Sequence, residues 1–315
     1  MQQKSDLELL RDQLSSQYDL ADPVLCTPLR SYTNDVYSVN SGSDRFALKI
    51  YGLNWRSDAE IRYELELLLH LARKGLQVGR PVDRRDGDFL SVITTRESNR
   101  LAALFTFAPG RKPAPPFSLS LYESFGEAIA RMHTLSDDFR TEYVRRPLDI
   151  NTLVVEPLES ILDSAPTESV RRQLQDVGDE IQLKIEQYSA APLDWGPIHG
   201  DATLDNLHVT ESGQVILYDF DSGGPGYRAS DLQGWAVGPS EFAAKHDAFL
   251  RGYSQIRTLN SADLMVAPYL TLAWEIWGLG VELSRRHMSP AETEAYLRDQ
   301  ATVLSNRCET LAGLQ

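Results

Sequence analysis

A chain of 315 residues is long enough for one large domain or for two lobes, each with its own core. Its 42% hydrophobic and 24% charged residues are ordinary for a globular protein, and a formal net charge of −14 sets it against nucleic acid and anionic membrane, both of which repel it. Two cysteines, Cys26 and Cys308, make neither a disulfide framework nor a thiolate zinc site; no apolar run approaches the roughly 20 residues that cross a bilayer, and residues 1–6 lack the apolar core of a signal peptide, so a reducing cytoplasm is expected.

In chain order, Leu7, Leu9, Leu10 and Leu14 predict a short amphipathic helix ahead of the Asp22-Pro23 break. Alternation through residues 29–39 and 45–51, with Ser41-Gly42-Ser43-Asp44 between them, predicts a strand pair. On its second strand Phe46, Leu48 and Ile50 share one face, Ala47 and Lys49 the other. Ala47 would leave room for a flat base and Lys49 would reach phosphate oxygens; on an exposed sheet face Lys49 would simply meet solvent. A helix capped by Ser57 or Asp58 follows, with Ile61, Leu65, Leu68 and Leu71 at helical spacing up to Gly75. Glu64 falls at the edge of that stripe, where it can pair with Lys49; Glu60 is the second candidate, and Glu66 points away.

Residues 89–95 and 101–107 alternate as a hairpin, after which the proline- and glycine-rich run 108–116 breaks regular structure. The expected division is therefore 1–107 and 108–315. The second part reads as mostly helical, with stripes at Leu121, Phe125, Ile129 and Met132, at Val170, Leu174, Val177, Ile181 and Ile185 within 166–190, and at Trp274, Trp277 and Val281. The tryptophans, with Glu275 beside them, are either core or a surface for a cationic or sugar acceptor.

Chemistry concentrates between Ile198 and Asp221. His199-Gly200-Asp201 is followed by Asn206, and the run Val215-Ile216-Leu217-Tyr218 ends in Asp219-Phe220-Asp221. Three carboxylates and a carboxamide at the ends of apolar segments are costly unless a charge pairs with them. Oxygen ligands at this density suit magnesium, which takes one or two carboxylates plus substrate phosphates.

The ordered pair His199-Gly200-Asp201-x4-Asn206 and Asp219-Phe220-Asp221 resembles the catalytic core of the aminoglycoside phosphotransferase and choline kinase family. The resemblance implies an α+β, two-lobed protein-kinase-like fold with a small antiparallel-sheet N-lobe that binds nucleotide and a larger, mostly helical C-lobe. It implies transfer of the γ-phosphate of ATP or GTP, with Mg, to a hydroxyl of a small-molecule acceptor resembling an aminoglycoside, choline or homoserine. Carried over by position, Asp201 is the base that takes the acceptor proton, and Asn206 and Asp219 hold the metal. Lys49 matches the Ala-x-Lys of the third strand, with Glu64 as its partner. Asn34 lies in the nucleotide-covering turn at 32–35, which here contains no glycine, and is expected near phosphate; a plain hairpin is the alternative. Phe105 to Phe107 form the hinge that meets the base through backbone groups. His133 resembles the family's packed helix histidine, and Asp231 the residue that braces the catalytic loop. The role of Asp221, where protein kinases have Gly, is open.

Two other functions compete. A catalytically silent relative would bind nucleotide or protein only, which the glycine-free turn permits. A metal-dependent hydrolase would use His133, His199, His208, Asp201 and Asp219, but these match no ligand spacing such as H-E-x-x-H and leave Lys49 and Glu64 without a role.

Overall fold

The computed structural model describes residues 6–95, 98–165, 167–232, 240–286 and 288–313, so residues 1–5, part of the segment read as lacking a signal core, lie outside the described residues. Contacts divide the chain into two compact units. Unit 1 takes Met1–Ala114, Asp138–Arg145 and Thr203–Asp221; unit 2 takes Pro115–Asp137, Arg146–Ala202 and Ser222–Gln315. This differs from a single division after residue 107, because the metal-motif segment 203–221 joins the first 114 residues. Strands β7 (Leu207–Val209) and β8 (Val215–Leu217) pair with each other, and isolated bridges tie Val209 to Arg111 and Leu217 to Val78.

Unit 1 is built on five antiparallel strands in the order β1-β2-β3-β5-β4: β1 (Val24–Ser31), β2 (Asp35–Ser41), β3 (Asp44–Ile50), β4 (Leu90–Thr94) and β5 (Asn99–Thr106). The alternating stretch 29–39 is thus two strands, parted at Tyr32-Thr33-Asn34, where the Tyr32 N–H donates to the Asn34 carbonyl at 3.2 Å. One sheet face is dry: Val39, Leu48 and Ile50 pack on Leu10, Leu14 and Tyr18 of helix α1 (Asp6–Gln17) and its end, a stripe spaced by four residues. The other face carries Ala47 and Lys49 beside helix α2 (Asp58–Arg73). Ser57 caps α2 in a reciprocal capping box with Glu60, which fixes Glu60 at the helix end and leaves Glu64, one turn on, inside.

Unit 2 is largely helical: α3 (Leu119–Leu135), α4 (Glu156–Ser164), α5 (Glu168–Tyr188), α6 (Ser240–Ser254), α7 (Ser261–Arg285) and α8 (Pro290–Gly313), with a two-stranded ribbon of β6 (Trp195–Ile198) and β9 (Gly224–Tyr227). Helix α7 is long and apolar enough by length and composition to cross a membrane, contrary to the expectation that no run approaches this. Val266, Leu270, Ala273, Ile276 and Leu279 are nonetheless buried, and the helix packs on α4 and α5. Trp274 and Trp277 are only half-buried on α7, edge to face at 5.2 Å, so they are not core residues of that stripe, and Glu275 pairs with Arg307 of α8.

Candidate functional site

In unit 1 a cavity of about 310 Å³ lies on the Ala47–Lys49 face of the sheet. Its apolar wall is formed by Leu29, Val36, Ala47, Leu68 and Phe105, and its charged groups include Lys49, Glu64, Asp219 and Arg30. A mostly apolar wall with a few convergent polar groups is the usual composition of a small-molecule site.

Lys49 is the centre of the charged end. Its Nζ is 2.9 Å from Glu64 Oε1 and 2.8 Å from Asp219 Oδ1, and both Lys49 and Glu64 are buried. The Tyr51 hydroxyl donates to the other Glu64 oxygen at 3.0 Å. Burial alone would lower the lysine pKa, but Asp219 and Glu64 outweigh it and hold the ammonium above its ordinary value. The same balance acts on Asp219: burial pushes its carboxyl up, while Lys49 and then Arg30, whose Nη2 lies 2.6 Å from Oδ2, bring it well below the usual carboxylate range. Asp219 also adopts φ of +65°, the left-handed region that few residues other than Gly, Asn and Asp enter.

Asp221, whose role the sequence leaves open, is an anchor. Its buried Oδ2 accepts from Asn34 Nδ2 at 3.0 Å and from Trp55 Nε1 at 2.6 Å, and its carbonyl accepts from Arg56 and Arg145. Burial raises its carboxyl, and Lys49, Arg56 and Arg145 more than reverse this. The expected contact of Asn34 with phosphate needs correcting. Its amide is turned inward, Nδ2 to Asp221 and Oδ1 accepting from the Gly52 N–H at 3.0 Å, and it does not line the cavity. Asn34 therefore couples the β1–β2 turn to the Asp219-Phe220-Asp221 loop.

Phe105 and Phe107 both line the cavity. The Phe107 ring lies 5.8 Å from the His208 ring, and His208 lies 4.9 Å from Tyr218. Backbone donors in the expected hinge are partly engaged: Thr106 N–H goes to the Arg80 carbonyl at 2.8 Å and Phe107 N–H to the Arg45 carbonyl at 3.2 Å. His208 Nδ1 donates to the Ala108 carbonyl at 2.8 Å. Asn206 is buried, and its carbonyl accepts from the Tyr218 N–H at 3.0 Å, which ties together the two segments that carry Asn206 and Asp219.

Asp201, in unit 2, is exposed at the end of a tightly held loop. Gly200 has φ of +75°, and a Cβ there would stand 2.4 Å from the Ser222 carbonyl oxygen, so only glycine fits. Buried Asp231 accepts from the N–H groups of His199 and Gly200 at 2.7 and 2.9 Å, and from His133 Nε2 at 3.0 Å. A carboxylate can only accept, so His133 carries its proton on Nε2, and Nδ1 accepts from the Tyr253 hydroxyl at 2.8 Å.

Burial holds His133 below its ordinary pKa of 6.5 despite Asp231, so the folded protein keeps it neutral. As pH falls through about 6.5, the unfolded chain takes up a proton that the native chain refuses, and stability drops by up to about 1.4 kcal/mol per pH unit. Urea unfolding at pH 7.5 and 5.5 should show His133→Gln losing less stability across this interval than the parent. Equal losses would mean that His133 takes up its proton as readily in the folded chain as in the unfolded one.

The histidines of the hydrolase alternative are thus separately engaged, and among the described residues no three His, Cys, Asp or Glu side chains gather as a metal cluster. Two groups that hold the cavity were not anticipated. Arg145, buried under Asp221, is remote in sequence and carries no local signal. Arg30 had one, since Pro28 within a strand marks an edge or a bulge.

Fold and site together define a small-molecule kinase with a hydroxyl acceptor. The chain belongs to the phosphotransferase enzyme family, whose profile it matches over residues 26–263. It is 35% identical over 291 residues to a protein of Deinococcus radiodurans, covering 89% of this chain and 83% of that one. It is 31% identical over 251 residues to a homoserine kinase of Acidiphilium cryptum, covering 75% and 73%. Its fold is similar to that of an amicoumacin kinase solved in complex with AMP-PNP, Ca2+ and Ami, with TM-score 0.79, 22% identity and 96% and 94% of the two chains covered. It is also similar to that of a microcompartment-associated aminopropanol kinase, with TM-score 0.76, 22% identity and coverage of 97% and 95%.

Proposed function

We propose that this kinase transfers the γ-phosphate of ATP, with magnesium, to the hydroxyl of a small amine-bearing acceptor such as an amino alcohol or hydroxy amino acid. The observation that carries this reading is the Lys49 ammonium bridging Glu64 and Asp219 at the edge of an apolar cavity. Glu64 holds the ammonium in place to neutralise phosphate oxygens, and the cavity wall takes the base. The Ala108 N–H, which has no acceptor among the described residues, is the backbone donor for the base, one position beyond the expected hinge.

Asp219, in the cavity lining, and Asn206, buried outside that lining but tied to the Asp219 segment through the Tyr218 N–H, would supply hard oxygen ligands, and two protein ligands plus phosphates is the usual complement of magnesium. Bound there, the ion would neutralise charge on the β- and γ-phosphates. The acceptor oxygen forms its bond to the γ-phosphorus as the bond from that phosphorus to the β–γ bridging oxygen breaks. ADP leaves with that bond's electron pair, and the hydroxyl proton passes to the Asp201 carboxylate.

The amine in the acceptor is supported by two of the relatives' names, homoserine and aminopropanol, each of which joins a hydroxyl to an amine charged at neutral pH. A net charge of −14 favours a cationic acceptor such as an amino alcohol, and is neutral toward a zwitterionic hydroxy amino acid. Magnesium-dependent ADP release should be followed with homoserine, aminopropanol, choline, an aminoglycoside, and glycerol as an amine-free control. Turnover with an amine-bearing acceptor above the glycerol level is expected. Nucleotide binding without turnover on any acceptor would favour the catalytically silent alternative.

A further inference from the structure

The β1–β2 turn lacks the glycines of a phosphate-covering loop, and two of the polar side chains it offers instead, Ser31 and Asn34, are turned away. Ser31 Oγ donates to Asp35 Oδ1, and Asn34 is held by Asp221 and Gly52. One residue earlier the strand does something different. Pairing between β1 and β2 slips at Pro28: Pro28 faces Tyr37, Arg30 faces Val36, and Leu29 is the extra residue of a bulge. In a regular strand neighbours point to opposite faces, but a bulge re-aims them. Leu29 and Arg30 accordingly both line the cavity.

Among the described residues that line it, the cations are Arg30, Lys49 and Lys112. Lys112 pairs with Asp205 at 2.6 Å, and Lys49 is buried between two carboxylates. Arg30 is half exposed, and its Nη2 sits on Asp219 Oδ2, on the opposite oxygen from Lys49. Each oxygen of the best-placed metal ligand in the cavity is therefore covered by a side-chain cation.

We propose that Arg30 is a phosphate-binding residue that exchanges the Asp219 carboxylate for nucleotide phosphate oxygens when Asp219 takes up a divalent cation. This rests on reading the cavity as a nucleotide site. A divalent ion on Asp219 repels a guanidinium held 2.6 Å from Oδ2 of the same carboxylate, and a long side chain on an edge strand can turn to the incoming phosphates without unpairing the sheet. Arg30 thus supplies, through a charged guanidinium, the hydrogen-bond donors to phosphate that a glycine-rich loop supplies through backbone N–H groups.

The test compares the parent protein with Arg30→Gln and Arg30→Lys by titration calorimetry, using AMP-PNP with Mg2+, adenosine as a phosphate-free probe, and Mn2+ alone followed by its paramagnetic resonance. Arg30→Gln should weaken AMP-PNP binding by about tenfold or more, the scale of a lost charge-assisted hydrogen bond. Adenosine affinity should not change, Mn2+ should bind several-fold more tightly, and Arg30→Lys should fall between. A merely structural arginine would weaken adenosine and AMP-PNP together. Equal AMP-PNP affinity in the parent and Arg30→Gln, or unchanged Mn2+ binding, overturns the proposal and leaves the nucleotide site standing. A parent protein that binds neither AMP-PNP nor adenosine overturns both.

Discussion

Replacing Asp201 by Asn should lower kcat by about 10²–10⁴-fold, the contribution of a positioned general base, and leave ATP affinity nearly unchanged. The carboxamide keeps the shape of the side chain but cannot take the acceptor proton. Because Asp201 is exposed, its loss strands no buried charge, and the melting temperature should stay where it is. The neighbouring Asp231→Asn is a different experiment. One carboxylate there accepts from three donors, and an amide would turn an N–H against at least one of them, so stability and activity should fall together. Turnover and ATP affinity measured on both variants separate the chemistry from the scaffold. An Asp201→Asn enzyme with full turnover would remove Asp201 from the mechanism.

The elements that place these groups were legible to different depths. Alternation around Ala47 and Lys49 and the 3.6-residue stripe of α2 predict the sheet face and helix edge from which Lys49 and Glu64 meet, because both periods are set by which side chains must be dry. Asn34 marks the limit. Its place in the turn was readable, but whether its amide faces phosphate or the interior depends on Asp221, 187 residues away. Arg145 under Asp221 and the division of the chain by contacts are likewise long-range facts. For Trp274 and Trp277 helical periodicity gave the face but not its depth of burial, since nothing local says which neighbours cover a helix edge. Sequence periodicity therefore resolves which residues share a surface, while the partner across that surface needs the fold.

Lys49→Met should be the most damaging single substitution at the cavity, and its two effects can be told apart. The parent lysine answers two carboxylates; without it, Glu64 keeps the Tyr51 hydroxyl and Asp219 keeps Arg30, and a buried ionic arrangement has lost its centre. Removing one member of a buried ion pair typically costs about 3–5 kcal/mol, because the remaining charge is left desolvated. The deficit should shrink as pH falls from 8 in denaturant unfolding, since the Asp219 carboxyl, held low by Lys49 in the parent, takes up a proton more readily without the ammonium. Adding Glu64→Met removes one of the stranded carboxylates, and exchanging both partners for apolar groups of similar size is often close to neutral, so the double variant should recover most of the lost stability. Nucleotide affinity should not recover with it, because the ammonium that meets the phosphates is still missing. If AMP-PNP binding returns along with stability in Lys49→Met/Glu64→Met, Lys49 is a structural ion that balances Glu64 and Asp219, and the phosphate must be held by other groups in the cavity.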